Sequence, residues 1–347
     1  MRKTISTRQC WQIISMRIVS SLLLVTKHDH AQAAALAVTM QTWLAEHHVR
    51  AKILTHPARQ DGCAAILREA AQGVDAVVVL GGDGTFIGVA RHLSGQPVGQ
   101  KVPFLGINFG HLGFLTETPA KDWRPVLRQM LAGKLRRVPR LVLRWTLERD
   151  GKLMLEGNAI NDVVVSRGNL ARVADIHLSV GRKPVVSSSG LPGVSEDLID
   201  FSRGELGWIR ADGIIVASPI GSSAYSLSAR GPLVHPALSN LLITAVAPFQ
   251  NSVPPLVLPG DSCIRLQCAT DDMAGAEICL TVDGQEGHIL GSGDAVYISG
   301  LPDGLDVLVR HPDNYLQALQ RRGFIRRFMF ANPRDTGMAV QPERRKA

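Results

Sequence analysis

Ten consecutive residues constrain this chain most: Ala76-Val77-Val78-Val79-Leu80-Gly81-Gly82-Asp83-Gly84-Thr85. A continuous apolar run bounded by glycines is the pattern of a strand buried on both faces, as in a parallel sheet covered by helices. The run stops at Gly81, Gly82 and Gly84, which hold one carboxylate between them, and Phe86 to Leu93 reads as a helix. Strand, glycine turn and helix bring bare backbone N–H groups and a helix N-terminus up to a phosphate. Gly81, Gly82, Gly84 and Thr85 are therefore the expected phosphate loop. Asp83 conflicts with that reading, because a carboxylate repels phosphate unless a cation or a hydroxyl stands between them. The structural alternative is a turn in which Asp83 caps the helix through its own backbone bonds.

The flanking sequence repeats the strand–helix alternation. Ile18 to Val25 reads as a first strand, and Asp29 as the cap of a helix running to about His48 with Leu36, Met40, Trp43 and Leu44 on one face. Ala51 to Leu54 is a short strand and Asp61 opens a helix through Ala71. Phe104 to Asn108 is a strand followed by a glycine-rich loop to Phe114, and Trp123 to Leu131 is a helix. Alternation of this kind gives a doubly wound, Rossmann-like parallel sheet with ligands at the strand C-termini.

Near Arg137 the pattern becomes β-rich. Leu141–Leu147, the Asp150-Gly151 turn and Leu153–Leu155 read as a hairpin. Ile160–Val165, Ile176–Val180, Gly213–Val216, Leu242–Val246, Cys263–Cys268, Ile278–Val282 and Ala295–Ile298 continue as strands. The expected fold is α/β, an N-terminal parallel-sheet domain over 16–136 and a C-terminal antiparallel β-rich domain over 137–313. Residues 1–15 read as an extension, with Met16 as an alternative start. A closing helix over 314–330 is expected to return to the first domain, and the basic segment 331–347 to be disordered. Ser187–Gly207 reads as an inserted loop, and Trp43, Trp123, Trp145 and Trp208 as packing residues.

Composition narrows the class. The 347 residues carry a formal charge of +8, much of it in arginines after position 320. A solvated tail accounts for that charge, and no motif for nucleic acid accompanies it. Five cysteines without a CxxC pair suggest neither a disulfide framework nor a zinc site, so a reducing cytoplasm fits. Arg17 splits the apolar N-terminal stretch, against a signal peptide, and no apolar run is long enough for a membrane span.

A second motif lies at Asp212-Gly213-Ile214-Ile215-Val216-Ala217-Ser218-Pro219-Ile220-Gly221-Ser222-Ser223-Ala224-Tyr225-Ser226-Leu227-Ser228-Ala229-Arg230-Gly231-Pro232. It reads as a strand ending in a Pro/Gly turn that opens into a small-residue helix, with Ser222, Ser223 and Tyr225 supplying hydroxyls and the first-turn N–H groups facing an anion. With Gly-Gly-Asp-Gly-Thr at 81–85, Asn161-Asp162, the Phe104–Phe114 loop, Pro254–Pro259 and Val282-Asp283-Gly284-Gln285, all in order over residues 16–328, the chain resembles the NAD kinase family.

The resemblance implies transfer of the ATP γ-phosphoryl group to the 2′-hydroxyl of the adenosine ribose of NAD. ATP would be the donor, magnesium would ride mainly on its phosphates, and the enzyme would be a homo-oligomer, dimer or tetramer, with no nucleic-acid or membrane partner. By resemblance Asp83 is the proton acceptor, and Asp83, Gly84, Asn161, Asp162, Arg172, Arg210 and Asp212 contact the dinucleotide. Ser223, Ala224, Tyr225, Ser226, Leu227 and Ser228 form the adenosine turn, with Ala247 and Gln285 as further contacts. The 137–313 domain is then the dinucleotide-binding one, and His111 a candidate phosphate contact. The sequence departs from the family pattern at Asp162, where Glu is usual, at Ile220 for threonine and at Arg230 for glycine. Two other readings stand beside this one: a catalytically weak or silent NAD(P)-binding sensor of the same fold, and a lipid kinase sharing the glycine loop.

Overall fold

The computed structural model describes residues 19–56, 62–97, 100–110, 113–168, 173–182, 199–202, 204–249, 253–268, 277–291, 293–311 and 314–325. The N-terminal extension, Met16, Asp61, His111, Arg172, most of the 187–207 insertion and the basic tail lie outside the described residues.

The first half alternates as its sequence requires: β1 (Ser21–Thr26), α1 (Ala31–Glu46), β2 (Arg50–Thr55), α2 (Cys63–Ala70), β3 (Ala76–Leu80), α3 (Asp83–Leu93), β4 (Phe104–Asn108), a two-residue β5 (Thr118–Pro119) and α4 (Trp123–Leu131). The main strands run parallel in the order β2-β1-β3-β4. Every residue of β1, β3 and β4 is buried, as unbroken apolar runs demand. Leu22, Leu24 and Val78 meet α1 and α4 on one face, while Leu23, Val77 and Val79 meet α2 and α3 on the other. Each such buried aliphatic side chain contributes about 1.5–3 kcal/mol.

Two helix starts differ from expectation. His30, not Asp29, caps α1, its Nδ1 accepting the Ala33 N–H at 3.1 Å, while Asp29 stands outside at φ +52°. Helix α3 begins at Asp83, three residues before Phe86, with extended Gly82 as its cap. An acid in the first turn suits the positive end of the helix dipole.

The second half comprises β6 (Arg136–Arg149), β7 (Lys152–Ala159), β8 (Asp162–Arg167), β9 (Ala174–Arg182), β10 (Glu205–Ala211), β11 (Gly213–Ala217), a short α5 (Tyr225–Ser228), β12 (Asn240–Val246), β13 (Leu256–Pro259), β14 (Ser262–Cys268), β15 (Ile278–Val282), β16 (Glu286–Leu290) and β17 (Asp294–Val309). Long β17 joins the halves. It pairs antiparallel with β6 and β14, and in parallel with β4 at Val307–Phe104, so parallel and antiparallel strands share one 11-stranded sheet. A second, antiparallel sheet runs β13-β12-β11-β8-β15-β16. Alternate residues of the two sheets, among them Leu143, Val163, Leu178, Val216, Leu280 and Val296, interlock as the second core.

Strand β10 falls partly where the sequence predicts an inserted loop. Gly204 and Gly207 interrupt the period-two pattern, and the register shifts between Glu205 and Gly207. A separate unit beginning at Asp313 holds α6 (Tyr315–Arg321), shorter than the closing helix expected over 314–330.

Candidate functional site

Gly81 and Gly82 continue β3 at the carboxyl edge of the parallel strands, where the Gly81 N–H reaches the Ile107 carbonyl at 2.9 Å. Asp83 follows as the first residue of α3 and is half-buried, Gly84 is exposed, and Thr85 is half-buried. The Asp83 carboxylate does not cap its own helix. Its Oδ2 accepts the Phe114 N–H at 2.8 Å, and its Oδ1 accepts the N–H groups of Leu115 and Thr116 at 3.2 and 3.0 Å and the Thr116 hydroxyl at 2.8 Å. Asn108 Nδ2 donates to that same hydroxyl at 2.9 Å. Charge-assisted bonds from three successive amides fix both the position and the plane of the carboxylate. Gly113 makes the approach possible, since a Cβ there would lie 1.8 Å from Asp83 Oδ1. Beside Gly82 a Cβ would meet nothing within 4 Å, so a phosphate has room against the backbone at the start of α3.

Asn161 and Asp162 sit where the chain crosses from β7 to β8, that is, from one sheet to the other. The Asp283 carboxylate receives the N–H groups of Ile160, Asn161 and Asp162 at 3.0, 2.7 and 3.2 Å. Next to it, Gln285 Nε2 donates to the Gly84 carbonyl at 2.8 Å. The structure thus brings Asp83-Gly84, Asn161-Asp162 and Gln285 together through a turn whose Asp283 belongs to a motif in the sequence but has no role assigned from it. An Asp-Gly pair at a hairpin tip carries a sufficient local reason of its own, which hides any second role. Thr116 had no sequence signal at all.

Asp162 is buried, and burial first, then the Asp283 charge, push its carboxyl up to about 7. Burial raises Asp283 to about 6, while the three backbone N–H groups and Arg91 oppose the rise. Amide donors favour an ionised acceptor. Of the pair, Asp283 is the carboxylate that keeps its charge, and Asp162 the one that holds the proton longer.

The 218–232 segment packs along the outer face of the second sheet, over Val164, Ile215 and Leu242. A Cβ at Gly221 would fall 2.0 Å from the Asn161 carbonyl, so this turn presses directly on the Asn161-Asp162 crossing. Instead of one helix it forms a 3₁₀ turn, Gly221–Ser223, and the four-residue α5. Ser222 and Ser226 are fully buried, bonding respectively to the Val234 backbone at 3.1 Å and to Thr244 Oγ1 at 3.0 Å, and so serve the turn itself. The Ser223 hydroxyl donates to the Ile220 carbonyl at 3.3 Å. Ala224 and Leu227 are half-buried, Ser228 is exposed, and the Tyr225 ring stands 46% exposed. Ile220 is buried with Phe86 and Ile160 in the α/β core, so loss of the usual hydroxyl is accompanied by apolar burial.

Three predicted residues stand apart. Asp212 pairs with Arg167 at 2.9 Å, at the opposite end of β8 from Asp162. Five residue steps along a strand put those ends about 17 Å apart. Ala247 lies at that far end too, just past Val246, which pairs with Gly213, and has φ +45°. Arg210 is exposed on edge strand β10, held by Asp175 in a two-pronged pair at 3.0 and 2.9 Å. Among the described residues no group of three or more His, Cys, Asp or Glu could hold a metal ion, and no helix is long and apolar enough to cross a membrane.

The family model for the ATP-NAD kinase N-terminal domain matches residues 15–135, and that for the ATP-NAD kinase C-terminal domain matches residues 160–301. An NAD kinase of Nitratidesulfovibrio vulgaris strain Miyazaki F is 40% identical over 306 residues, covering 88% of this chain and 97% of that protein. Among solved structures, yeast NADH kinase complexed with NADH is similar at a TM-score of 0.70 and 22% identity, over 87% of each chain. An NAD kinase from Archaeoglobus fulgidus in complex with ATP is similar at a TM-score of 0.59 and 21% identity, over 86% of this chain and 99% of that one. These two likenesses concern the fold.

Proposed function

This chain belongs to the NAD kinase family, and from that premise we propose that it phosphorylates the adenosine-ribose 2′-hydroxyl of NAD with Asp83 as the proton acceptor. One observation carries the assignment of Asp83: its carboxylate is held by the Phe114–Thr116 amides at the start of α3, one residue from the carbonyl that Gln285 ties towards Asn161-Asp162. A ribose hydroxyl is a weak nucleophile at neutral pH, and a fixed carboxylate orients it and takes its proton as transfer proceeds. Phosphoryl transfer is loose, so positioning and charge neutralisation supply most of the acceleration. The open space at Gly82 and the N-terminus of α3 receive the donor phosphates. Magnesium enters with ATP, as part of the substrate, and screens those phosphates from Asp83.

Asn161 and Asp162 hold the dinucleotide, Asp162 accepting ribose hydroxyls when ionised. The exposed Tyr225 ring offers the adenine a stacking face. Arg210, Asp212 and Ala247 belong to the pocket of a second copy in a homo-oligomer. The exposed Leu206 and Trp208 of edge strand β10, at 48% and 58%, support that assembly, because an uncovered apolar edge invites pairing. The substrates, and the free thiols of Cys63 and Cys279, fit a reducing cytosol.

A coupled assay of NADP formation from NAD and Mg-ATP tests the assignment. Asp83→Asn should lower turnover by roughly 10²–10⁴-fold, the range of general-base contributions, with the fold retained. A variant that keeps most of its turnover removes Asp83 from the role. Tight dinucleotide binding without turnover by the unaltered protein would replace the kinase reading with that of a sensor.

A further inference from the structure

The turn between β15 and β16 is more heavily tied than a hairpin needs. Asp283 and Gly284 have φ of +53° and +63°, and the Gln285 N–H closes the turn on the Val282 carbonyl at 2.9 Å. Glycine adopts that backbone without strain, whereas an aspartate there is disfavoured and is kept where its surroundings hold it. Asp283 is so held. Its carboxylate takes the N–H groups of Ile160, Asn161 and Asp162, and its own N–H donates to the Asp162 carbonyl at 2.9 Å. Ile160 and Asn161 lie between β7 and β8, outside both strands, so Asp283 supplies the partner that a sheet ladder would otherwise supply.

Two further ties reach α3 from the same turn. Gln285 Nε2 donates to the Gly84 carbonyl, and Glu286 pairs with Arg91 at 3.3 Å. Gly88 lets the Gln285 side chain lie along the helix, since a Cβ there would come within 3.0 Å of Gln285 Oε1 and 2.8 Å of His56 Nε2.

We propose that Asp283 and Gln285 are positioning residues that set the spacing between the Asp83-Gly84 loop and the Asn161-Asp162 pair. The hairpin tip thereby places the proton acceptor against the hydroxyl of a dinucleotide held from the other sheet. This rests on the kinase reading of Asp83 and Asn161-Asp162. The two residues act on different halves of the site, so their loss has different signatures. Gln285→Met frees Gly84 and lowers kcat more than it raises the NAD KM. Asp283→Asn loosens Asn161-Asp162, raising the NAD KM by roughly tenfold or more. It also removes the charge facing Asp162, behind which stand Arg91 of α3 and Glu286 of β16. The Asp162 limb of the pH profile for NAD binding therefore moves to lower pH in Asp283→Asn and stays in place in Gln285→Met.

The experiment measures kcat, KM for NAD, their pH dependence and thermal midpoints for the full chain and both variants, with amide hydrogen exchange at residues 160–162. Support is a kcat effect in one variant, a KM effect with the shifted limb in the other, and faster exchange at Asn161 in Asp283→Asn. An active parent whose two variants keep its kcat, KM and limb overturns the proposal, as does a fall in thermal midpoint with kinetic constants unchanged. If Asp283→Asn does not fold, Gln285→Met decides alone: unaltered kcat overturns the proposal. A parent that forms no NADP overturns the kinase reading instead, and the exchange rates then decide whether Asp283 holds the crossing.

Discussion

Arg230 shows how a single residue departs from its surroundings. Its φ is +67°, in the left-handed region, where a side chain with a Cβ is disfavoured by roughly 1–2 kcal/mol and glycine is not. That is the physical reason a glycine is the usual choice at this position, and the arginine is tolerated because its side chain is exposed. Glycine returns part of the gain as unfolded-state entropy. Arg230→Gly is therefore expected to stabilise the protein by about 1 kcal/mol, visible as a raised thermal midpoint, with NADP formation maintained. A lowered midpoint would show that the arginine makes a contact worth more than its backbone strain. Asp83 is singled out in the sequence by its place among glycines, whereas Asn161-Asp162 lies within an apolar stretch that reads as a strand and is singled out only by the resemblance to the family. Thr116 carries no such signal, and Asp283 stands in a quoted motif without a role. Their partners lie 33 and 121–123 positions away, and nothing in their own neighbourhood is out of place.

At the scale of elements, the crossing from β7 to β8 carries a pH dependence. Folded Asp162 keeps its proton to about pH 7, whereas in the unfolded chain it releases it near pH 4. Between those values the folded state binds more protons, so stability falls as pH rises from about 4 to 7 and recovers on acidification through the same window. Asp162→Asn, measured by denaturant unfolding across that range, should flatten the slope. An unchanged slope would place the titration elsewhere. With Asp162 in its proposed role as acceptor of ribose hydroxyls, NAD binding runs the other way: affinity in the parent should rise as pH passes upward through about 7. Strands whose apolar pattern is continuous or alternates cleanly, such as β3, β4 and β15, were legible to within a residue. Strands β10 and β16 were hidden because Gly204 and Gly207 in one case, and alternate exposed residues such as Gly287 and Ile289 in the other, break or dilute the pattern.

At the scale of the molecule, the alternation of strands and helices made the α/β half legible, but not its junction with the β-rich half. A single strand, β17, pairs with β4, β6 and β14, and pairings of that range leave no periodic trace in sequence. The same geometry separates the predicted ligand residues into two groups. Asp83, Gly84, Asn161, Asp162 and Gln285 meet at one end of the second sheet, while Asp212 and Ala247 lie at the other, with Arg210 on the adjoining edge. An oligomer that covers Leu206 and Trp208 would bring one subunit's Arg210 edge to another's site and remove an exposed apolar edge at the same time. Trp208→Arg should then lower both the oligomeric mass, read by light scattering, and NADP formation. In such an oligomer, Arg210→Ala and Asp83→Asn would impair different subunits' contributions to one shared site. Co-expressed and purified as mixed oligomers, the two variants should regain activity that neither has alone, because an Arg210→Ala subunit keeps its Asp83 and borrows Arg210 from its neighbour. Mixed oligomers no more active than the average of the parents would return Arg210 to its own subunit or remove it from the site.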